Sequence, residues 1–234
     1  MKVKVEKKSP FIDMTAMSDV TVLLLTFFML TSTFLQKEPI TVITPSSVSE
    51  EKVPEQNLIT VLVTTVKDQQ GKDVPRVFLA LAGDRDTTYS SEKMREELIM
   101  NVAQAKGIEL TKQDVKTFGQ TYMYGQPLSV LKSWLQQPLE KRDELTDPAK
   151  NPNAGIPVSM GGTREKPNEF QTWMMAAENL SDDNLSQAIR KGQGIAVKAD
   201  ENTPYSIVEI VMDNLQSLKM NKFTLLTSLK TEND

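Results

Sequence analysis

The chain has no cysteine and no histidine. Without cysteine there is no disulfide, no thiolate metal site and no cysteine nucleophile. Without histidine the commonest general base and the usual zinc ligand are missing. Catalysis would have to rest on Asp, Glu, Lys, Ser, Thr or Tyr. Ser159 and Ser206 have no imidazole to activate them, and no pair of carboxylates is placed by evident spacing. The sequence therefore reads as a non-enzyme, with no catalytic residue, metal or cofactor. A surplus of positive charge is absent too: 27 Lys and Arg stand against 31 Asp and Glu, a net charge of −4. That leaves no basic stripe to neutralise phosphates, which excludes nucleic acid as a partner. Long apolar runs are equally scarce, and the single one that exists organises the rest of the reading.

That run is Met14–Leu35, and it contains no Lys, Arg or Glu. About 20 helical residues span a ~30 Å hydrocarbon core, so the expectation is a transmembrane helix over residues 14–36. Inside it sits one carboxylate, Asp19. A charged group at the bilayer centre costs roughly 2.5–3.5 kcal/mol on insertion scales, which makes it a functional candidate by default. Lys2, Lys4, Lys7 and Lys8 precede the run against Glu6 and Asp13, while the stretch after it is mixed in charge. By the positive-inside rule residues 1–13 are cytoplasmic and the remainder lies across the membrane, the periplasm in a bacterium. Thr31-Ser32-Thr33-Phe34-Leu35 offers no Ala-x-Ala-like cleavage site, and Asp19 would interrupt a signal-peptide core. An uncleaved, single-pass inner-membrane anchor is expected.

Residues seven apart nearly coincide around a helix. Asp19, Thr26 and Thr33 are so spaced, and Thr15 lies one turn before Asp19. The four make a polar stripe among Leu, Val, Phe and Met. Two readings of Asp19 stay open: an N-cap in the headgroup region, for which Asp13 is the better candidate, or a carboxylate that needs a protein partner because lipid cannot satisfy it. A carboxylate in an apolar setting favours its neutral form and can take up and release a proton as its surroundings change. One helix cannot form such a path, so a relay through Asp19 and Thr26 requires partner helices from another protein.

After the run, residues 37–57 hold three prolines among Ser, Thr and mixed charge, and read as a flexible periplasmic linker. Residues 58–234 read as an α+β domain, a mixed sheet covered by helices. Leu58–Val66 and Arg76–Leu81 form its first hairpin. Helices are expected over Ser91–Ala105, Leu110–Phe118, Leu128–Gln136, Asn168–Asn179 and Pro204–Leu218, the last with Pro204 in its first turn. Asp147–Pro167 reads as a long loop. Gly194–Lys198 and Lys222–Leu229 complete the sheet. Trp134 and Trp173 are expected to be packing residues.

Two patches resemble one family. Pro10-Phe11-Ile12-Asp13-Met14-Thr15-Ala16-Met17-Ser18-Asp19-Val20, followed by Leu23-Leu24-Leu25-Thr26-Phe27-Phe28-Met29, is similar to the membrane segment of the ExbD/TolR family, with Ala16 where the family's motif has proline. Ile195-Ala196-Val197-Lys198-Ala199-Asp200, Thr203-Pro204-Tyr205, Ile207-Val208 and Val211-Met212-Asp213 resemble its strand–turn–helix. The middle region, about residues 82–167, resembles the enlarged, Bacteroidetes-type members, and no function is carried onto it.

The resemblance implies a proton-motive-force-driven inner-membrane motor of the ExbB–ExbD type, energising TonB-dependent outer-membrane transport. Asp19 falls on the family's proton-responsive aspartate. The implied partners are an ExbB/TolQ-type polytopic membrane protein, a second copy of the chain, a TonB-like protein and protons. Asp200, Pro204 and Tyr205 are candidates for partner binding; the plainer expectation is a turn residue, a helix-start proline and a tyrosine packed on the sheet. Two alternatives stay open: a TolR-like envelope-integrity component contacting peptidoglycan, and a membrane-anchored periplasmic binding module in which Asp19 has no proton role.

Overall fold

The computed structural model describes residues 14–31, 46–47, 56–67, 71, 73–83, 91–181, 183–191, 193–200, 203–226 and 228–229. The chain forms two units, Met1–Lys37 and Glu38–Asp234. In the first, α1 runs Met14–Thr31 without an internal glycine or proline, and none of its residues is buried. Its 18 residues rise ~27 Å at 1.5 Å each, close to the apolar thickness of a bilayer.

The second unit is built on a sheet whose order is β4-β3-β2-β6-β7, with β5 beside β3. The strands are β2 (Leu58–Lys67), β3 (Asp73–Ala82), β4 (Met123–Tyr124), β5 (Ile156–Pro157), β6 (Ile195–Ala199) and β7 (Thr224–Leu226). β2 is antiparallel to β3 and parallel to β6, and β6 is parallel to β7, so the sheet is mixed. β2 is central, which explains its nearly unbroken apolar run: alternation sends Ile59, Val61 and Val63 to one face and Leu62 to the other, and both faces are covered.

The larger core lies on the helical face. There α2 (Ser91–Lys106) contributes Met94, Leu98, Ile99 and Val102, α6 (Glu169–Glu178) Phe170, Trp173 and Met174, and α8 (Tyr205–Ser217) Ile207, Val211 and Leu215. Trp173 stacks on Phe118 at 5.7 Å and meets Tyr124 at 4.7 Å, so both it and Trp134 pack as expected. Among the described residues no helix contributes to the core on the opposite face. Loop segments bring Met123 and Ala154 onto Leu62, Phe78 and Ala80. Gly125 is needed there, because a Cβ on it would stand 1.8 Å from the Phe78 ring.

Several expectations change in detail. Leu128–Gln136 divides into a 3-10 turn, Leu128–Val130, and a short helix α4, Leu131–Leu135, because Pro127 leads into the segment. Asp147–Pro167 contains β5. The final segment divides as well: Thr224–Leu226 pairs with β6, whereas β8 (Ser228–Leu229) pairs in parallel with β1 (Ser46–Ser47). Pro204 is the N-cap of α8, at φ −56° and ψ 137°, rather than a first-turn residue. Two helices were not expected. In α5 (Leu139–Thr146) only Thr146 is buried, so it has no apolar stripe to read. In α7 (Asp183–Lys191) Leu185 and Ile189 face inward one turn apart, a short signal. The remaining helix, α3 (Lys112–Gly119), starts with a reciprocal capping box between Thr111 and Asp114. Its last carbonyl, that of Gly119, accepts from Nε of the buried Arg95 at 2.7 Å, a cation at a helix C-terminus.

Candidate functional site

Asp19 is the only ionisable residue of α1 and the sixth residue of that helix. The cap position precedes Met14, so Asp19 is not the N-cap. Asp13, expected as the better cap, lies outside the described residues. Apolar side chains follow Asp19 toward the C-terminal end of the helix, and no basic residue of α1 could pair with it.

The stripe is narrower than the threonine spacing implies. At ~100° per residue, Leu23 and Leu30 lie within about 40° of Asp19, on the same side as Thr26. The Thr26 hydroxyl donates to the Leu23 carbonyl at 2.9 Å. Thr21 and Thr31 donate likewise to Met17 and Phe27, each at 2.8 Å. Back-bonding of this kind satisfies a hydroxyl within its own helix. The Thr26 proton is thereby engaged, and its oxygen lone pairs remain for an outside donor. Thr15 shares the side of Asp19, and Thr33 lies outside the described residues.

The second candidate patch stands where β6 passes into α8. Thr203 N–H donates to the Asp200 carbonyl at 2.9 Å, closing a turn, and Pro204 then starts the helix, its carbonyl accepting from Ile207 at 2.9 Å. Tyr205 is 71% exposed. It therefore does not pack on the sheet as expected: it points outward from the first turn of α8, while Ile207 and Val208 of the same turn face inward. Asp200, Pro204 and Tyr205 are brought together within one turn of chain. Among the described residues no three Asp or Glu side chains gather as a cation site.

A helix of membrane-crossing length and apolarity with one carboxylate, followed in the chain by an α+β domain on a mixed sheet, is the layout of a membrane-anchored α+β protein. The model of one family, described as biopolymer transport protein ExbD/TolR, matches residues 6–131, more than half of the chain, and the protein belongs to that family. Comparison with curated proteins and with solved structures gives no match. The matched segment takes in α1, β2, β3, α2, α3 and β4, and stops before β6, α8 and β7. Membership makes the chain a subunit of a biopolymer-transport energising machine, of a family whose members are non-enzymatic and work with ExbB/TolQ-type and TonB-like proteins.

Proposed function

We propose that the chain is the single-span, proton-responsive subunit of an ExbB–ExbD type motor, driven by the proton-motive force and energising TonB-dependent outer-membrane transport. Residues 1–13 lie in the cytoplasm, 14–36 cross the inner membrane, 37–57 link, and 58–234 work in the periplasm. Asp19 takes up and releases the proton, with Thr26, about two turns further along the same side of the helix, as a hydrogen-bond acceptor and Thr15 and Thr33 on that side too. Asp200, Pro204 and Tyr205 offer the periplasmic partner an exposed aromatic at a helix start. The chain acts as a dimer within a ring of helices supplied by the polytopic partner.

One observation carries the reading: Asp19 is the only ionisable group in a helix of membrane-crossing length, in a member of this family. Lipid offers that carboxylate no hydrogen bond, and α1 itself offers no cation. Partner helices must therefore surround it.

The test is uptake of an iron-siderophore or vitamin cargo in cells carrying Asp19→Asn or Asp19→Glu. Asparagine keeps size and polarity without a titratable proton. The reading requires uptake to be lost with asparagine and at least partly retained with glutamate, while each variant still co-purifies with the polytopic partner. Full uptake with asparagine refutes it.

A further inference from the structure

A cleft of about 470 Å³ opens beside the 3-10 turn, between β3, α4 and α5. It is unlike the rest of this acidic chain. Its lining holds one guanidinium, that of Arg76, the side-chain amides of Gln126, Gln137, Asn151 and Asn153, the Trp134 ring, and no carboxylate.

The cation is held in place. Arg76 sits in β3 opposite Pro157 of β5. Its stem lies against Gly155, whose φ of +96° and missing Cβ permit the approach: a Cβ there would stand 2.6 Å from the Arg76 Cβ. The Arg76 Nε is buried and has no hydrogen-bond partner among the described residues. Glu169 acts on Arg76 through space, but that carboxylate accepts from Leu128 N–H at 2.6 Å, and no ion pair joins the two. Burial lowers the affinity of the Arg76 guanidinium for its proton below the ordinary value, and the charge of Glu169 offsets this only in part.

The neighbours are fixed as well. Gln126 is 3% exposed and donates to the Leu145 carbonyl at 2.6 Å, as does Asn151 at 2.7 Å. Trp134 donates to the Arg142 carbonyl at 3.3 Å, with the Arg142 guanidinium 5.4 Å from its ring centre. A guanidinium with an unfilled donor matches a carboxylate, and amide side chains that both donate and accept match the amides of a peptide main chain.

We propose that this cleft binds a carboxylate-bearing peptide segment, with Arg76 on the carboxylate and the Gln and Asn amides on the main chain, while the buried Trp134 ring forms part of the cleft wall. The site is independent of the Asp19 reading; Arg76 comes from β3 and the rest of the lining from residues 126–153.

The test is calorimetric titration of the full chain in detergent micelles with four probes. N-acetyl-Ala-Ala-Ala offers a terminal carboxylate, N-acetyl-Ala-Asp-Ala-amide a side-chain carboxylate, N-acetyl-Ala-Ala-Ala-amide none, and sodium acetate a carboxylate without amides. At least one carboxylate peptide saturates the site, and which one does so identifies the source of the carboxylate. The uncharged peptide and acetate bind at least tenfold more weakly. Arg76→Gln weakens the carboxylate peptide about 10- to 100-fold, as expected for loss of a charge-assisted hydrogen bond. Asn153→Asp, at an exposed position where folding is not at stake, sets a negative charge at the cleft and weakens it about tenfold. Equal binding of the uncharged peptide or of acetate overturns the proposal. So does unchanged affinity in Asn153→Asp, or absence of saturation by both carboxylate peptides.

Discussion

Replacement of Gln171 by leucine tests whether a buried polar network joins α6 to α8. Gln171 is fully buried. Its Oε1 accepts from Asn168 N–H at 3.0 Å, completing the capping box of α6, and its Nε2 donates to the Gly162 carbonyl at 3.1 Å and the Ser217 hydroxyl at 2.7 Å. Asn168 in turn reaches the Ser159 carbonyl at 2.8 Å and the side chain of Asn214 on α8. Leucine has nearly the same volume, so no large cavity opens. Two groups lose their partner, Asn168 N–H and the Gly162 carbonyl, whereas Ser217 keeps its bond to the Asn214 carbonyl at 2.8 Å. A buried group left without a partner costs about 1–3 kcal/mol, and both groups here are partly buried, so the expected loss is about 2–4 kcal/mol. For a domain of this size that lowers Tm by roughly 4–16 °C. The assay is thermal unfolding of the full chain in micelles followed by tryptophan fluorescence, because both tryptophans lie in the second unit and none in α1. Gln171→Glu is the companion: it aims a carboxylate oxygen at the Gly162 carbonyl, so it should be at least as harmful at neutral pH and partly recover in acid. A Tm within about 1 °C of wild type for Gln171→Leu would refute the network argument.

Gly125→Ala should destabilise by about 1–3 kcal/mol through overpacking, seen as a lower denaturant midpoint at unchanged slope, and Phe78→Leu in the same chain should recover part of it. Burial, against the Leu128 N–H bond and the charges of Arg76 and Lys106, holds the Glu169 carboxyl above its ordinary value. The folded state thus keeps that proton more tightly than the unfolded one. The associated stability is present below the ordinary carboxyl range and is lost as pH rises through the raised folded value. Glu169→Gln keeps an acceptor for Leu128 N–H, so wild type should lose stability relative to this variant on going from acid to neutral pH. Parallel pH profiles would contradict this.

The long periodic segments were legible in the sequence. β2, β3, α2, α6 and α8 follow from alternation or helical spacing, because each buries a face against a single core. Elements whose order comes from elsewhere were not. α5 has no apolar face, β4 and β5 are two-residue pairings fixed by β3, and Arg95 is buried because its guanidinium meets the Gly119 carbonyl at the end of α3 and the Leu81 carbonyl of β3. The position of Asp19 within a helix was readable from composition alone. The bond from Thr26 back to Leu23 was not, since threonine spacing does not reveal where a hydroxyl turns. Tyr205 shows the same limit: its neighbours Ile207 and Val208 face inward, but the first turn of α8 carries its own side chain outward. The cleft around Arg76 left no linear trace, because its lining comes from β3 and from turns and helix residues at least 50 positions further along the chain.

The central claim is that the Asp19 carboxyl carries the proton. The most direct measurement is proton flux into liposomes holding the complex of this chain with its polytopic partner, wild type against Asp19→Asn at equal protein content. The account predicts that the variant falls to the leak of protein-free liposomes while the complex stays assembled. Flux equal to wild type in the assembled variant would contradict it.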